Sequence, residues 1–128
     1  MEYHISKTLT GTFEEVVVRV KNALKKEGFG VLTEIDIKNT LKSKLDVDFR
    51  KYTILGACNP EYAHSALQAE DKVGTMLPCN VIIQEKEEGE VEVAAVNPKA
   101  SMMAIHNKKL EQLANDVTQK LTRVIKEV

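Results

Sequence analysis

The sequence predicts a single α+β domain, a two-layer sandwich in which a largely antiparallel β-sheet carries two long helices on one face. Three observations predict it. The chain has 128 residues, enough for one core and too few for two ordinary domains, so residues 1–128 read as one unit. Two stretches, one opening at Phe13 and one at Leu110, repeat apolar residues at helical spacing. Five other stretches have strand length and strand patterning, which gives the order β-α-β4-α with short helical insertions.

Each element has a local reason. Tyr3, Ile5 and Leu9 alternate with His4, Ser6 and Thr8, as in a half-buried strand over 3–9. Thr12 followed by Glu15 reads as a capping box, after which Phe13, Val16, Val17, Val20, Ala23 and Leu24 form one stripe until Gly28 stops the helix. Valines are modest helix formers, so this helix depends on docking against a sheet. A strand at 29–35 leads to Asp36, which caps a short helix carrying Ile37, Leu41 and Leu45, with Lys38, Lys42 and Lys44 on its wet side. A third strand at 51–58 ends at Asn59 and Pro60, an N-cap and a first helical residue for a helix of roughly ten residues. After Leu77 and Pro78 come a strand at 79–85, a turn at Glu87-Glu88-Gly89, and a returning strand at 90–96 with Val91, Val93 and Ala95 on one face. Asn97-Pro98 breaks the strand, 98–106 forms a helical turn or two, and Leu110, Leu113, Val117, Leu121 and Val124 mark the C-terminal helix.

Hydrophobic residues make up 43% of the chain and charged residues 29%, which excludes disordered, collagenous and membrane classes. Eighteen basic against nineteen acidic side chains leave a net charge of −1, so no global field draws the protein to nucleic acid or to a membrane surface, and neither is expected as a partner. The N-terminus lacks the basic region and apolar run of a secretory signal, and a cytoplasmic location is expected. There Cys58 and Cys79, too few for a disulfide framework, stay as thiols.

Helices on one side leave the other sheet face bare. Strand alternation assigns to it Leu32, Leu55, Ala57, Ile82, Ala94 and Val96, mixed with His4, Thr8, Glu34, Thr53, Asn80, Gln84 and Glu92. That face is too apolar for simple exposure, and closed twofold pairs are the commonest assemblies, so a homodimer through it is expected. A tolerated half-polar face, a third layer and a ligand groove are the alternatives.

Two segments carry most of the chemical information: Gly56-Ala57-Cys58-Asn59-Pro60 and Leu77-Pro78-Cys79-Asn80-Val81. If their strands are antiparallel neighbours, both Cys-Asn pairs lie at one sheet edge. By alternation Cys58 goes with Tyr52 and Ile54, and Cys79 with Val81 and Ile83, which points both toward the same layer. Ordinary packing explains a free cysteine well, since it behaves as a small hydrophobe. A thiolate role starts from Cys58 preceding a helix N-terminus, whose amides favour negative charge, although Asn59 as cap takes one of those donors. A cysteine nucleophile needs a base, and His4, His64 and His106 lack diagnostic spacing. Soft-metal binding by Cys58, Cys79 and His64, with Met102 or Met103, lacks any close ligand pair. Gly28-Phe29-Gly30 is better read as a helix stop than as a nucleotide loop, and the acidic run around Glu87 as a solvated hairpin tip. Met102-Met103 fills a core gap or lines an adaptable pocket.

Taken together, Gly28-Phe29-Gly30-Val31-Leu32, Leu55 to Pro60, Leu77 to Val81, and Pro98 with Met102-Met103 resemble the domain-of-unknown-function 302 family over nearly the whole chain. The resemblance implies a TBP-like fold with a β-α-β4-α core and implies no activity. It picks out Cys58, Asn59, Pro60, Pro78, Cys79 and Asn80 as family-like positions. The leading expectation is a cytoplasmic, non-enzymatic dimeric domain that binds a small ligand or protein partner near the two Cys-Asn motifs. Cys58, Asn59, Cys79, Asn80, His64 and Met102 are its candidate ligand-binding residues, with no catalytic residue, metal or cofactor assigned. The competing readings are a thiol-dependent redox protein or enzyme using Cys58 or Cys79, and soft-metal binding.

Overall fold

The computed structural model describes all residues 1–128. Along the chain lie β1 (His4–Thr10), α1 (Phe13–Lys26), β2 (Gly30–Asp36), α2 (Ile37–Leu45), β3 (Tyr52–Cys58) and α3 (Pro60–Ala69). A 3-10 helix (Asp71–Met76), β4 (Cys79–Glu87), β5 (Glu90–Val96), α4 (Pro98–Ser101) and α5 (Lys108–Glu127) complete it. Short polar side chains start most of the helices by taking an orphan amide. Thr12 Oγ1 accepts from the Glu15 amide at 3.2 Å, Asp36 Oδ1 from Asn39 at 3.0 Å, and Asn107 Oδ1 from Leu110 at 3.2 Å. Gly28, at φ +86°, supplies the left-handed turn that leads α1 into β2.

All strand pairs are antiparallel, in the order β1-β5-β4-β3-β2. Helices α1 and α5 cover the same face. Val16, Val20 and Leu24 of α1 and Leu121 and Val124 of α5 join Leu55, Val81, Ile83, Val91 and Val93 of the sheet in one core, all fully buried. Each such side chain contributes roughly 1.5–3 kcal/mol of burial. A second, smaller core of Ala66, Val73, Met102, Leu110 and Ala114 ties α3, the 3-10 helix and the chain after α4 to the first half of α5. The α2 flank buries no residue and packs on the β2–β3 edge.

The register corrects the face expected for β3. Leu55 pairs with Val81, Thr53 with Ile83 and Ala57 with Cys79, and antiparallel partners share a face. Leu55, Ala57 and Thr53 therefore lie under the helices and are buried, while Tyr52 and Ile54 lie on the open face. β3 is apolar on both sides, so its own alternation carries no information about which side is which. β2 changes parity at a bulge between Val31 and Thr33. Glu34 consequently sits opposite Leu55 on the covered side, where Lys21 of α1 holds it at 2.6 Å, and Leu32 is carried out to 67% exposure. Ile82, Ala94 and Val96 keep the open-face positions expected of them, among His4, Thr8, Asn80, Gln84 and Glu92.

Candidate functional site

The two cores do not meet. Between them, at the end of the sheet where β3 stops and β4 begins, lies a cleft of about 360 Å³, within the usual range of small-molecule sites of roughly 300–1,000 Å³. Its sheet side is Phe29, Ala57, Cys58 and Cys79; its opposite wall is Tyr62, Ala63 and Ala66 of α3 with Leu110, Ala114 and Val117 of α5. Of the 19 residues that border it, 15 are hydrophobic and none is charged, so it offers an ionic ligand no counter-charge.

Local structure explains why these residues converge. Gly56 lets β3 and β4 close: a Cβ there would overlap Thr33 Oγ1 and stand 2.8 Å from Pro78 Cγ. Pro78 lies directly before Cys79, so this approach brings both Cys-Asn junctions to one rim, as the sequence suggests. Asn59 has the extended backbone of an N-cap but makes no capping hydrogen bond, which corrects its expected role. Its Nδ2 instead donates to Glu27 O at 3.4 Å. The amide thereby ties the end of α1 to the β3–α3 junction, and α3 begins without a side-chain cap at the edge of the cleft.

Both thiols are free and border the cleft, Cys79 buried and Cys58 half-buried. Their parity differs, because Cys79 continues the covered face and Cys58 falls on the row of Tyr52 and Ile54. They meet because β3 ends there, not because they point into one layer. Burial pushes the Cys79 thiol up to about 11, and the neighbouring Cys58 adds to that direction. A proton on Cys79 is thus held firmly at neutral pH, the opposite of an activated nucleophile.

Of the sequence-derived candidates, the fold brings together Cys58, Asn59, Cys79 and Met102 around the cleft. Asn80 alternates to the open face, where it is exposed and pairs with Gly56 across the ladder. His64 is exposed on α3 and does not border the cleft. His4 lies on the open face with Nε2 3.6 Å from Glu2, and His106 is exposed, so no imidazole faces either thiol. No group of three His, Cys, Asp or Glu side chains is placed to hold a metal ion. No helix is long and apolar enough to cross a membrane. Among the residues missed from sequence are Tyr62, Ala63, Leu110 and Ala114. Leu110 was visible as part of the α5 stripe, but only the docking of α3 on α5 makes that end of the stripe a wall.

A family model described as "Domain of unknown function DUF302" matches residues 5–128. An "Uncharacterized protein" of Aquifex aeolicus (strain VF5) is 29% identical over 85 residues, 66% of this chain and 53% of that protein. The matched region thus spans about half the length of that relative. The crystal structure of an "uncharacterized conserved protein DUF302 from Bacillus stearothermophilus" is similar at a TM-score of 0.91 and 26% identity, covering 99% of this chain and 98% of that one.

Proposed function

The chain belongs to the DUF302 family, and on that premise we propose that it is a binding protein whose cleft takes a small, uncharged, largely apolar molecule. The observation that carries the reading is a cleft of about 360 Å³ between two closed cores, bordered by 15 hydrophobic residues of 19 and by no charge. Among the bordering residues only Asn59, Tyr62, Cys58 and Cys79 carry a polar side-chain group. Burying about 300 Å² of ligand at about 25 cal/mol per Å² gives about 7.5 kcal/mol before association costs, which makes micromolar affinity the upper limit. The chemistry of the thiols supports binding over catalysis, since Cys79 resists ionisation and no histidine stands beside either sulfur. Free thiols suit a reducing compartment, in keeping with a cytoplasmic location.

Titration with the uncharged dye N-phenyl-1-naphthylamine tests this. Saturable one-to-one binding is expected, together with protection of Cys58 from alkylation while the dye is bound. Ala63→Phe, which fills the cleft from α3, should abolish the signal, and Leu67→Lys at the cleft edge should weaken it. Dye binding that neither substitution changes, or none at all, would refute the reading. Native mass spectrometry of freshly purified protein adds an independent check, because a retained molecule shows directly as added mass.

A further inference from the structure

The open face of the sheet has an order that follows from register alone. Ser6 pairs with Ala94, Ala94 with Ile82, Ile82 with Ile54, and Ile54 with Ile35, so a row of four apolar side chains crosses the strands. Ile54, Ile82 and Ala94 are half-buried and Ile35 is 44% exposed. One flanking row runs Thr8, Glu92, Gln84, Tyr52; the other contains His4 with Val96, and Asn80, Gly56 and Thr33. Neither long helix reaches this side, and a groove bordered by Tyr52, Asn80, Ile82 and Ala94 lies along it.

Charge divides the same face into halves. Gln84 stands near the middle, accepting from Arg50 Nε at 2.9 Å and donating to Glu92 Oε1 at 2.7 Å. The Arg50 guanidinium lies 4.4 Å over the Phe49 ring and 5.6 Å from that of Tyr52, on the β3 side. Glu92 is on the β5 side, one strand beyond β4. The face is thus basic on one side of β4 and acidic on the other, with the apolar row running through both.

We propose that this face is a homodimer interface whose twofold axis lies in the interface plane, parallel to β4. Such an axis sets Ile82 against the partner's Ile82 and Ala94 against the partner's Ile54, and brings Glu92 toward the partner's Arg50. A foreign partner would have to present an apolar row with the reverse order of charge. A second copy of this chain presents that order by symmetry. Five strands about 4.8 Å apart and about seven residues long at about 3.4 Å each make a face of roughly 19 by 24 Å. With side-chain relief and the Tyr3 and Phe49 rims, that approaches the lower end of the roughly 600–1,000 Å² per partner of a specific interface. The cleft and its ligand are separate from this interface, and either proposal can fail alone.

Sedimentation velocity with circular dichroism tests it. The natural chain should be a dimer at roughly 100 µM, and Ile82→Glu should raise the dissociation constant by about tenfold or more while leaving the spectrum folded. Ala94→Glu, at a small and half-exposed position, does the same without depending on how Ile82 packs. Arg50→Glu and Glu92→Arg should each weaken the dimer, and the two together should restore much of what either loses. A natural chain that stays monomeric, or gains mass only with another protein, overturns the proposal. So does a dimer that tolerates both glutamates, while a double charge exchange no better than the single ones overturns the twofold arrangement.

Discussion

Leu55, Val81, Ile83, Val91 and Val93 on the helix-covered face are wholly buried, whereas their chain neighbours Ile54, Ile82, Glu92 and Ala94 on the opposite face are only half-buried. The same strands thus build two surfaces by alternation. One is closed by helices of its own chain and admits almost no polar group. The other mixes isoleucine with a hydrogen-bonded Arg50–Gln84–Glu92 series. Burial in this sheet is thus set by what lies above each face, since Ile54 and Ile82 are as apolar as Leu55 and Ile83 yet only half-buried.

The largest expected effect tests that contrast directly. Leu55→Ala should cost about 2–5 kcal/mol, by lost transfer energy and an unfilled cavity, while Ile82→Ala should cost about 1 kcal/mol or less in the monomer. Chemical denaturation at protein concentrations low enough to hold the monomer measures both, and equal losses would break the comparison. Gly56→Ala comes next, at about 1–3 kcal/mol, because its new methyl group has no room beside Thr33 and Pro78. Adding Thr33→Ala should recover part of that loss, which would show that the open face is tightly closed at its cleft end although loose at its centre.

An effect confined to alkaline pH, and absent at neutrality, lies at the boundary of the two surfaces. Folding raises the Cys79 pKa from 9.0 to about 11, so the folded chain holds this proton where the unfolded chain has lost it. Stability from this group is complete below pH 9 and declines as pH rises through about 11, by on the order of 3 kcal/mol. Thermal unfolding of the natural chain and of Cys79→Ala across that window checks it, since the variant should lack this part of the decline. Alkylation at neutral pH should label Cys58 well before Cys79, in line with their unequal burial.

Much of the architecture was legible from local patterns. Thr12, Gly28 and Asp36 bound their helices as read, and the β4–β5 hairpin carries its buried Val91, Val93 and Ala95 on the face expected. Of the site, the thiols, Asn59 and Met102 were reachable because cysteine at a strand end and methionine after a strand are unusual enough to notice. Asn80 follows Cys79 and His64 lies one turn into the helix after Asn59, but side-chain direction reverses at each step of a strand and rotates around a helix, which carries them away from the cleft. Asn59 illustrates a subtler limit: its backbone is that of a cap, yet its amide is drawn to Glu27 by a neighbour 32 positions away.

The set of elements and their inward stripes can be read from the chain alone, because capping, helical spacing and turn chemistry act over a few residues. Packing in three dimensions chose which side of β3 is covered, how the β2 bulge turns Glu34 toward Lys21, and how α3, docked on α5, walls a cleft against the end of the sheet. Those outcomes depend on register between strands and on the docking of distant helices. An alternating pattern that is apolar on both sides is unchanged when its faces are exchanged, so only contact with the rest of the chain can choose between them.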